Sequence, residues 1–343
     1  MDEKQKKRLI WQLPFLALLI VGSVLIIRQQ RNAPYQKVSD FIFGTTYHVV
    51  YQCDSDLSQG IKAELEKVDR SLSPFNKTSV ITAVNNNQDV VLDKMFLEVY
   101  QKAMEISGET DGAFDITVAP LVNAWGFGFK SGTQPTPQAI DSLKALVGYK
   151  KITLDTRRKT ISKKDPRIML DCSAIAKGYG SDVIGAFLKR RGIENYMVEI
   201  GGEVVTHGIN EKRVPWRIGV VKPTEDSLAT DNELQTVINV ADKAMATSGN
   251  YRNFYYKGGK KYAHTIDPKT GAPVQHSLLS ATVLADNCAT ADAYATSFMV
   301  MGIERAKAVL ERHPELMAYF IYSDDNGENA VWYSPTMKEN ITE

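Results

Sequence analysis

Two oxygen-bearing side chains set the first chemical possibility in this chain. Asp292 and Thr296 stand four residues apart in DNCATADAYATSF, residues 286–298. On a helix that spacing puts them on one face. A carboxylate and a hydroxyl are hard ligands, suited to Mg²⁺ or Ca²⁺ rather than zinc. Cys288, Ala289 and Ala295 nearby are small enough to let a backbone or cofactor approach closely. The same pair also fits a local hydrogen bond or a solvated face, so it decides nothing alone. His264 opens the second possibility. It follows an expected strand and starts a dense turn, with Asp267-Pro268 and Thr270-Gly271 restricting the backbone. A lone histidine is usually structural, but one held beside a dense turn at a strand end is a better candidate to take up a proton. The third possibility is DCSAIAKGYGSD, residues 171–182, where a helix is expected to begin near Ser173. A helix N-terminus with Lys177 one turn in can cradle phosphate, or Lys177 can be an ordinary surface lysine. Neither a Walker A loop nor G-x-G-x-x-G occurs in the chain. Glycine-rich segments GETDGAFD (108–115), EIGGEVV (199–205) and MATSGNYRNF (245–254) offer close backbone approach to a flat ligand. Together these features point to Mg²⁺-dependent handling of a nucleotide-like pyrophosphate.

The elements that must position these groups are readable in part. Leu57, Ile61, Leu65, Val68 and Leu72 share a helical face, and Ser73-Pro74 ends that helix. Further helices are expected over 93–107, 174–190, 287–301 and 303–312. FIFGTTYHVVYQC, 41–53, reads as a strand. Others are expected at 151–155, 159–162, 196–200, 204–206, 216–221, 235–240, 261–266, 317–322 and 330–333. Helices and strands mix without a βαβ rhythm, so the expected class is α+β. Between Ser107 and Thr136 the period lapses, while Phe114, Trp125 and Phe127 supply anchors for ordered loop structure around a site.

The N-terminal run LIWQLPFLALLIVGSVLII, 9–27, is long enough for a transmembrane helix. Lys4, Lys6, Lys7 and Arg8 precede it, which places residues 1–8 in the cytoplasm and the body outside. The expectation is an uncleaved anchor, with a cleaved signal peptide as the competitor. A polar tether at 28–40 follows, then one domain over 41–335. The chain has 343 residues, 41 Lys plus Arg against 40 Asp plus Glu, and a formal net charge of +1. That balance offers no footprint for nucleic acid, and the 43% apolar content argues against disorder. Cys53, Cys172 and Cys288 are too far apart for a zinc or iron–sulfur motif. They read as small apolar residues, with one disulfide left open.

With these motifs in order, the sequence resembles the ApbE-type FAD:protein FMN transferases. The resemblance runs from FGTTYHV at 43 to the C-terminal strands. It is carried by SLSPFNKTS (71–79), TDGAFDITVAPLVNAWGFG (110–128), LDCSAIAKGYGSD (170–182), EIGGE (199–203), ATSGNY (246–251), HTIDPKTGAP (264–273) and ADAYATSFMVMG (291–302). It implies an α+β, T-fold-like body with FAD between two subregions. It implies Mg²⁺ held by the Ala174 carbonyl, Asp292 and Thr296. Lys177 and Gly178 would lie near FAD, Asp115 and Glu203 would shape its pocket, and Ala246, Thr247, Ser248 and Tyr251 would help hold the nucleotide end. His264 would stand close to the reacting phosphate. The implied reaction is attack of a threonine or serine hydroxyl of a target flavoprotein on the FMN-side phosphorus of FAD, with AMP leaving. His264 ranks ahead of Asp292 as proton acceptor, because a metal-bound carboxylate is the poorer base. Implied targets are extracytoplasmic flavoproteins such as redox-pump subunits, met at the periplasmic face of the inner membrane. Hydrolysis of FAD to FMN and AMP is the alternative activity at the same site, and a non-catalytic flavin-binding protein the non-enzymatic one. Relatives commonly carry a glycine near Cys172-Ser173, and most are anchored by a lipidated cysteine rather than a helix.

Overall fold

The structure, a computed structural model, describes residues 12–23, 33–128, 135–223, 233–250, 254–257 and 260–342. Residues 12–23 are helical (α1). Among the described residues no helix is long and apolar enough to cross a membrane. This corrects the expected transmembrane anchor over 9–27. The single-pass inner-membrane location with a periplasm-facing body goes with it, as does the membrane as a partner beside extracytoplasmic targets. Residues 1–11 and 24–32 lie outside the described residues, and with them the basic tail and the first part of the tether.

A hairpin of β1 (Tyr35–Ile42) and β2 (Thr45–Gln52) comes next. The single strand expected over 41–53 is broken because Phe43 and Gly44 take φ of 53° and 78°. Two consecutive positive φ values make a tight hairpin turn. Then come α2 (Ser58–Leu72), α3 (Val80–Asn85), α4 (Lys94–Glu109), α5 (Ala119–Ala124), α6 (Pro137–Lys144) and the small hairpin β3 (Ile152–Asp155) and β4 (Thr160–Lys163). The central stretch holds α7 (Ser173–Arg190), β5 (Tyr196–Ile200), β6 (Glu203–His207), β7 (Trp216–Val221), β8 (Leu234–Val240) and β9 (Ala244–Gly249). The chain closes with β10 (Phe254–Lys257), β11 (Lys260–Ala263), β12 (Leu278–Ala285), α8 (Cys288–Met301), α9 (Ile303–Arg312), β13 (Met317–Ser323) and β14 (Asn329–Tyr333).

Among the described residues one eight-stranded sheet dominates, in the order β1-β2-β5-β6-β9-β12-β13-β14. Every neighbouring pair in it is antiparallel. With helices packed on it, this is the expected α+β class. The main core joins inward residues of α4, α7, α8 and α9 to β12 and β13. A second cluster on β6, β9, β12 and β13 is covered by the β7–β8 ribbon. Helix α8 has 12 of its 14 residues buried, so it runs through the interior. Asn287 caps it by accepting from Thr290 N–H at 3.0 Å.

Candidate active site

The site grows from the crossing of α7 over the start of α8. A β-carbon on Gly178 would stand 2.3 Å from the Cys288 carbonyl oxygen and 2.9 Å from Ala289 nitrogen. Only glycine allows the two backbones this close. The contact is fastened from both sides. Gly178 N–H donates to Asp292 Oδ2 at 3.1 Å. Asp182, one turn further along α7, accepts from Cys288 N–H at 2.7 Å and Ala289 N–H at 2.9 Å. Those are donors at the first turn of α8, which has no intrahelical partners to give them. Burial pushes Asp182 up to about 6, against the pull of these two N–H groups.

The crossing places Lys177 between two carboxylates. Its Nζ lies 2.8 Å from Glu203 Oε1 and 3.9 Å from Asp292 Oδ2. Burial raises Glu203 to about 8, with Lys177 pulling it back and Asp292 pushing it further up. Burial raises Asp292 as well, opposed by Lys177 and the Gly178 N–H. For Lys177 burial acts downward, but Asp292 and Glu203 outweigh it and hold the ammonium above its usual value. Glu203 arrives on the β5–β6 hairpin, whose turn is Gly201-Gly202 with φ of 63° and 103°. Gly201 also lies against the lysine stem: its missing β-carbon would be 3.2 Å from Lys177 Cδ.

These groups open on a cavity of about 670 Å³, lined by Ala174, Lys177, Glu203, His264, Asp292 and Thr296. Asp115, Thr247 and Ser248 line it too. His264 meets the edge of Phe127, with ring centroids 6.4 Å apart at 70°. The turn after it is pinned by Trp125, whose Nε1–H donates to the Gly271 carbonyl at 2.8 Å. Asp115 is a clamp: its Oδ1 accepts from Thr117 N–H at 2.8 Å and Thr117 hydroxyl at 2.6 Å, its Oδ2 from Tyr149 N–H at 2.7 Å. Burial raises it, with those bonds acting the other way. Thr247 shares a hydroxyl–hydroxyl bond of 2.9 Å with Thr282. Ala246 and Gly178 are buried behind the cavity rather than on its wall. Tyr251 lies outside the described residues.

Phe127, expected as an anchor of loop structure around a site, lines the cavity. Sequence reading missed three contributors: Phe75 and Glu199 also line the cavity, and Asp182 holds its two helices together. Asp182 ends the quoted AIAKGYGSD stretch, and eight residues separate it from Ala174, about two helical turns; that was the available signal. Cys53, Cys172 and Cys288 are free thiols, so the disulfide left open is absent.

The donors fit a hard cation. Asp292 and Thr296 share the cavity-facing side of α8, and Ala174 borders it from α7. Ser297 donates its hydroxyl to the Ala293 carbonyl at 2.6 Å; among the described residues no such bond engages Thr296. Glu203 Oε2 is buried without a partner. Among the described residues no group of three or more His, Cys, Asp or Glu could hold a metal.

Fold and site define a class: an α+β body with a buried carboxylate–ammonium cluster on the wall of a ligand-sized cavity. The comparisons supply the family. The ApbE family model matches residues 43–320; the chain belongs to the ApbE family. It is 38% identical over 320 residues to the FAD:protein FMN transferase of Vibrio cholerae serotype O1, covering 90% of this chain and 94% of that protein. The Haemophilus influenzae FAD:protein FMN transferase is 39% identical over 330 residues, with the same coverage of 90% and 94%. A solved structure, the flavin transferase ApbE from Vibrio cholerae, superposes with a TM-score of 0.80 at 36% identity, covering 90% of this chain and 99% of that one.

Proposed function

We propose that this chain is an FAD:protein FMN transferase, and that residues 41–335 form the transferase domain. The observation that carries the reading is the single cavity that gathers Lys177, Glu203, Asp292, Thr296, Ala174 and His264 from segments far apart in sequence. The cavity is roomy enough for much of a dinucleotide, and Lys177, Glu203 and Asp292 put charge on its wall. In the reaction a threonine or serine hydroxyl oxygen of a target flavoprotein bonds to the FMN-side phosphorus of FAD. The bond from that phosphorus to the bridging oxygen breaks, and AMP leaves with the electron pair. The hydroxyl proton passes to His264, at the cavity wall.

Lys177 places positive charge where pyrophosphate oxygens would lie. Asp115 holds the 113–117 loop, and Thr247 and Ser248 present hydroxyls to the nucleotide. The Ala174 carbonyl, Asp292 carboxylate and Thr296 hydroxyl would hold Mg²⁺, which when bound neutralises charge developing on the phosphates. His264 is set against Phe127, where the neutral ring can accept a proton.

The test is incubation with FAD, Mg²⁺ and an acceptor flavoprotein, read by intact mass. A gain of one FMN on the acceptor is expected, and Asp292→Ala abolishes it. Free FMN and AMP with no labelled protein would instead identify a hydrolase. Undiminished labelling by the Asp292→Ala chain would sink the metal assignment.

A further inference from the structure

We propose that Glu203 is the counter-charge that holds the Lys177 ammonium off Asp292 and so leaves that carboxylate open to a divalent cation. The inference rests on the reading of Asp292 as a metal ligand. It makes Glu203 a positioning residue, acting through Lys177.

The geometry is unequal in the required sense. Lys177 Nζ is within hydrogen-bonding reach of Glu203 at 2.8 Å but not of Asp292 at 3.9 Å. One hairpin imposes this. Its turn at Gly201 packs on the lysine stem, and its next strand begins with Glu203. The stem is fenced and the charge supplied by the same few residues.

Glu203 also lacks the signs of a carboxylate kept for the fold. Buried Asp115 and half-buried Asp182 use both oxygens on backbone or hydroxyl donors. Glu203 is 3% exposed, spends Oε1 on Lys177, and leaves Oε2 buried with no partner. An orphaned buried oxygen is costly and explained here by charge rather than by bonding.

Charge arithmetic gives the consequence. Lys177 and Glu203 sum to zero beside Asp292. Without the Glu203 charge, one uncompensated ammonium stands next to the cation site, where low dielectric makes the repulsion strong. The same ammonium is then free to close the gap to Asp292 and occupy it. Removing both charges returns the sum to zero.

The experiment measures Mn²⁺ binding to the full chain by electron paramagnetic resonance at about pH 9, above the value of about 8 to which burial raises Glu203, with and without saturating FAD. Glu203→Gln, which keeps the side-chain volume, is expected to weaken Mn²⁺ at least about tenfold. The double variant Glu203→Gln with Lys177→Met is expected to bind within about threefold of wild type. Wild-type affinity in the single variant overturns the proposal. So does a double variant as weak as the single one, since the loss would then come from damage to the fold. A wild-type chain that binds no Mn²⁺ in either condition overturns the metal reading and this inference together, a result distinct from an unaltered Glu203→Gln.

Discussion

Replacing Gly178 by alanine sets two physical effects of opposite sign against each other. In a helix interior, alanine is favoured over glycine by about 1 kcal/mol. Propensity alone therefore predicts a more stable protein. The tertiary structure predicts the reverse. The new methyl would sit 2.3 Å from the Cys288 oxygen and 2.6 Å from its carbonyl carbon. Both are backbone atoms, so no rotamer change relieves the clash. Relief needs an opening of about 1 Å between α7 and α8, in an interior packed like a crystal. That opening would stretch the Gly178–Asp292 bond of 3.1 Å and the two Asp182 bonds of 2.7 and 2.9 Å. Overpacking costs about 1–3 kcal/mol, and a weakened hydrogen bond to a charged group costs about 1.5–3 kcal/mol when fully lost. Set against the propensity gain, the net loss is about 2–3 kcal/mol. For a chain of this size that lowers Tm by roughly 5 °C. Differential scanning calorimetry reads it directly. Gly108→Ala is the control: it lies in α4 with nothing within 4 Å of the new methyl, so it should gain about 0.5–1 kcal/mol. Transfer activity should fall further than stability, because Asp292 moves with α8, and a misplacement of about 1 Å costs on the order of a hundredfold in rate. A Gly178→Ala chain that melts at or above wild type would refute the argument that this crossing is set by the missing side chain.

Three further outcomes follow from the same geometry. Asp182 titrates near 6 when folded and near 3.9 when unfolded, so the folded chain holds the extra proton between those values. Its contribution to stability therefore falls by about 3 kcal/mol as pH rises from about 4 to 6; urea midpoints across that range should show a slope that Asp182→Asn flattens. Asp115→Asn keeps the shape but turns an N–H₂ toward one of the donors that now point at the carboxylate. A loss of about 1–3 kcal/mol and a raised KM for FAD are expected from denaturation and steady-state assays. Trp125→Phe removes the donor to the Gly271 carbonyl, leaving a buried acceptor unmet. A loss of about 1–3 kcal/mol should accompany a fall in kcat as the turn after His264 loosens, and wild-type kcat would argue against that positioning role.

The family and the chemistry were legible from the order of short motifs, since each of AIAKG, HTIDP and DAYAT is contiguous. Single-faced helices were legible as well. Ile61, Leu65, Val68 and Leu72 point inward on α2 as their spacing requires. Two strands at the heart of the sheet were not. β12, LLSATVLA, is buried on nearly every residue, so it shows no alternation to read. β9, AMATSG, includes Ala244, Ala246 and Gly249, residues with little strand character of their own; it pairs along its length with β12 and at Ala244 and Met245 with β6. The apolar run near the N-terminus suggested a membrane span by composition, yet among the described residues no helix is long and apolar enough to cross a membrane.

Sequence by itself therefore determined the residue types at the site: a lysine near a helix start, a carboxylate and hydroxyl one turn apart, a histidine before a rigid turn. Only the tertiary structure decided that Lys177, Glu203 and Asp292 form one charge cluster, and that Gly178 and Asp182 exist to join α7 to α8. Periodicity and turn chemistry act over a few residues and leave a local trace. An ion pair between residues 177, 203 and 292 depends on which strand lies beside which, and on how closely two helices cross, neither of which is written in any single stretch of chain.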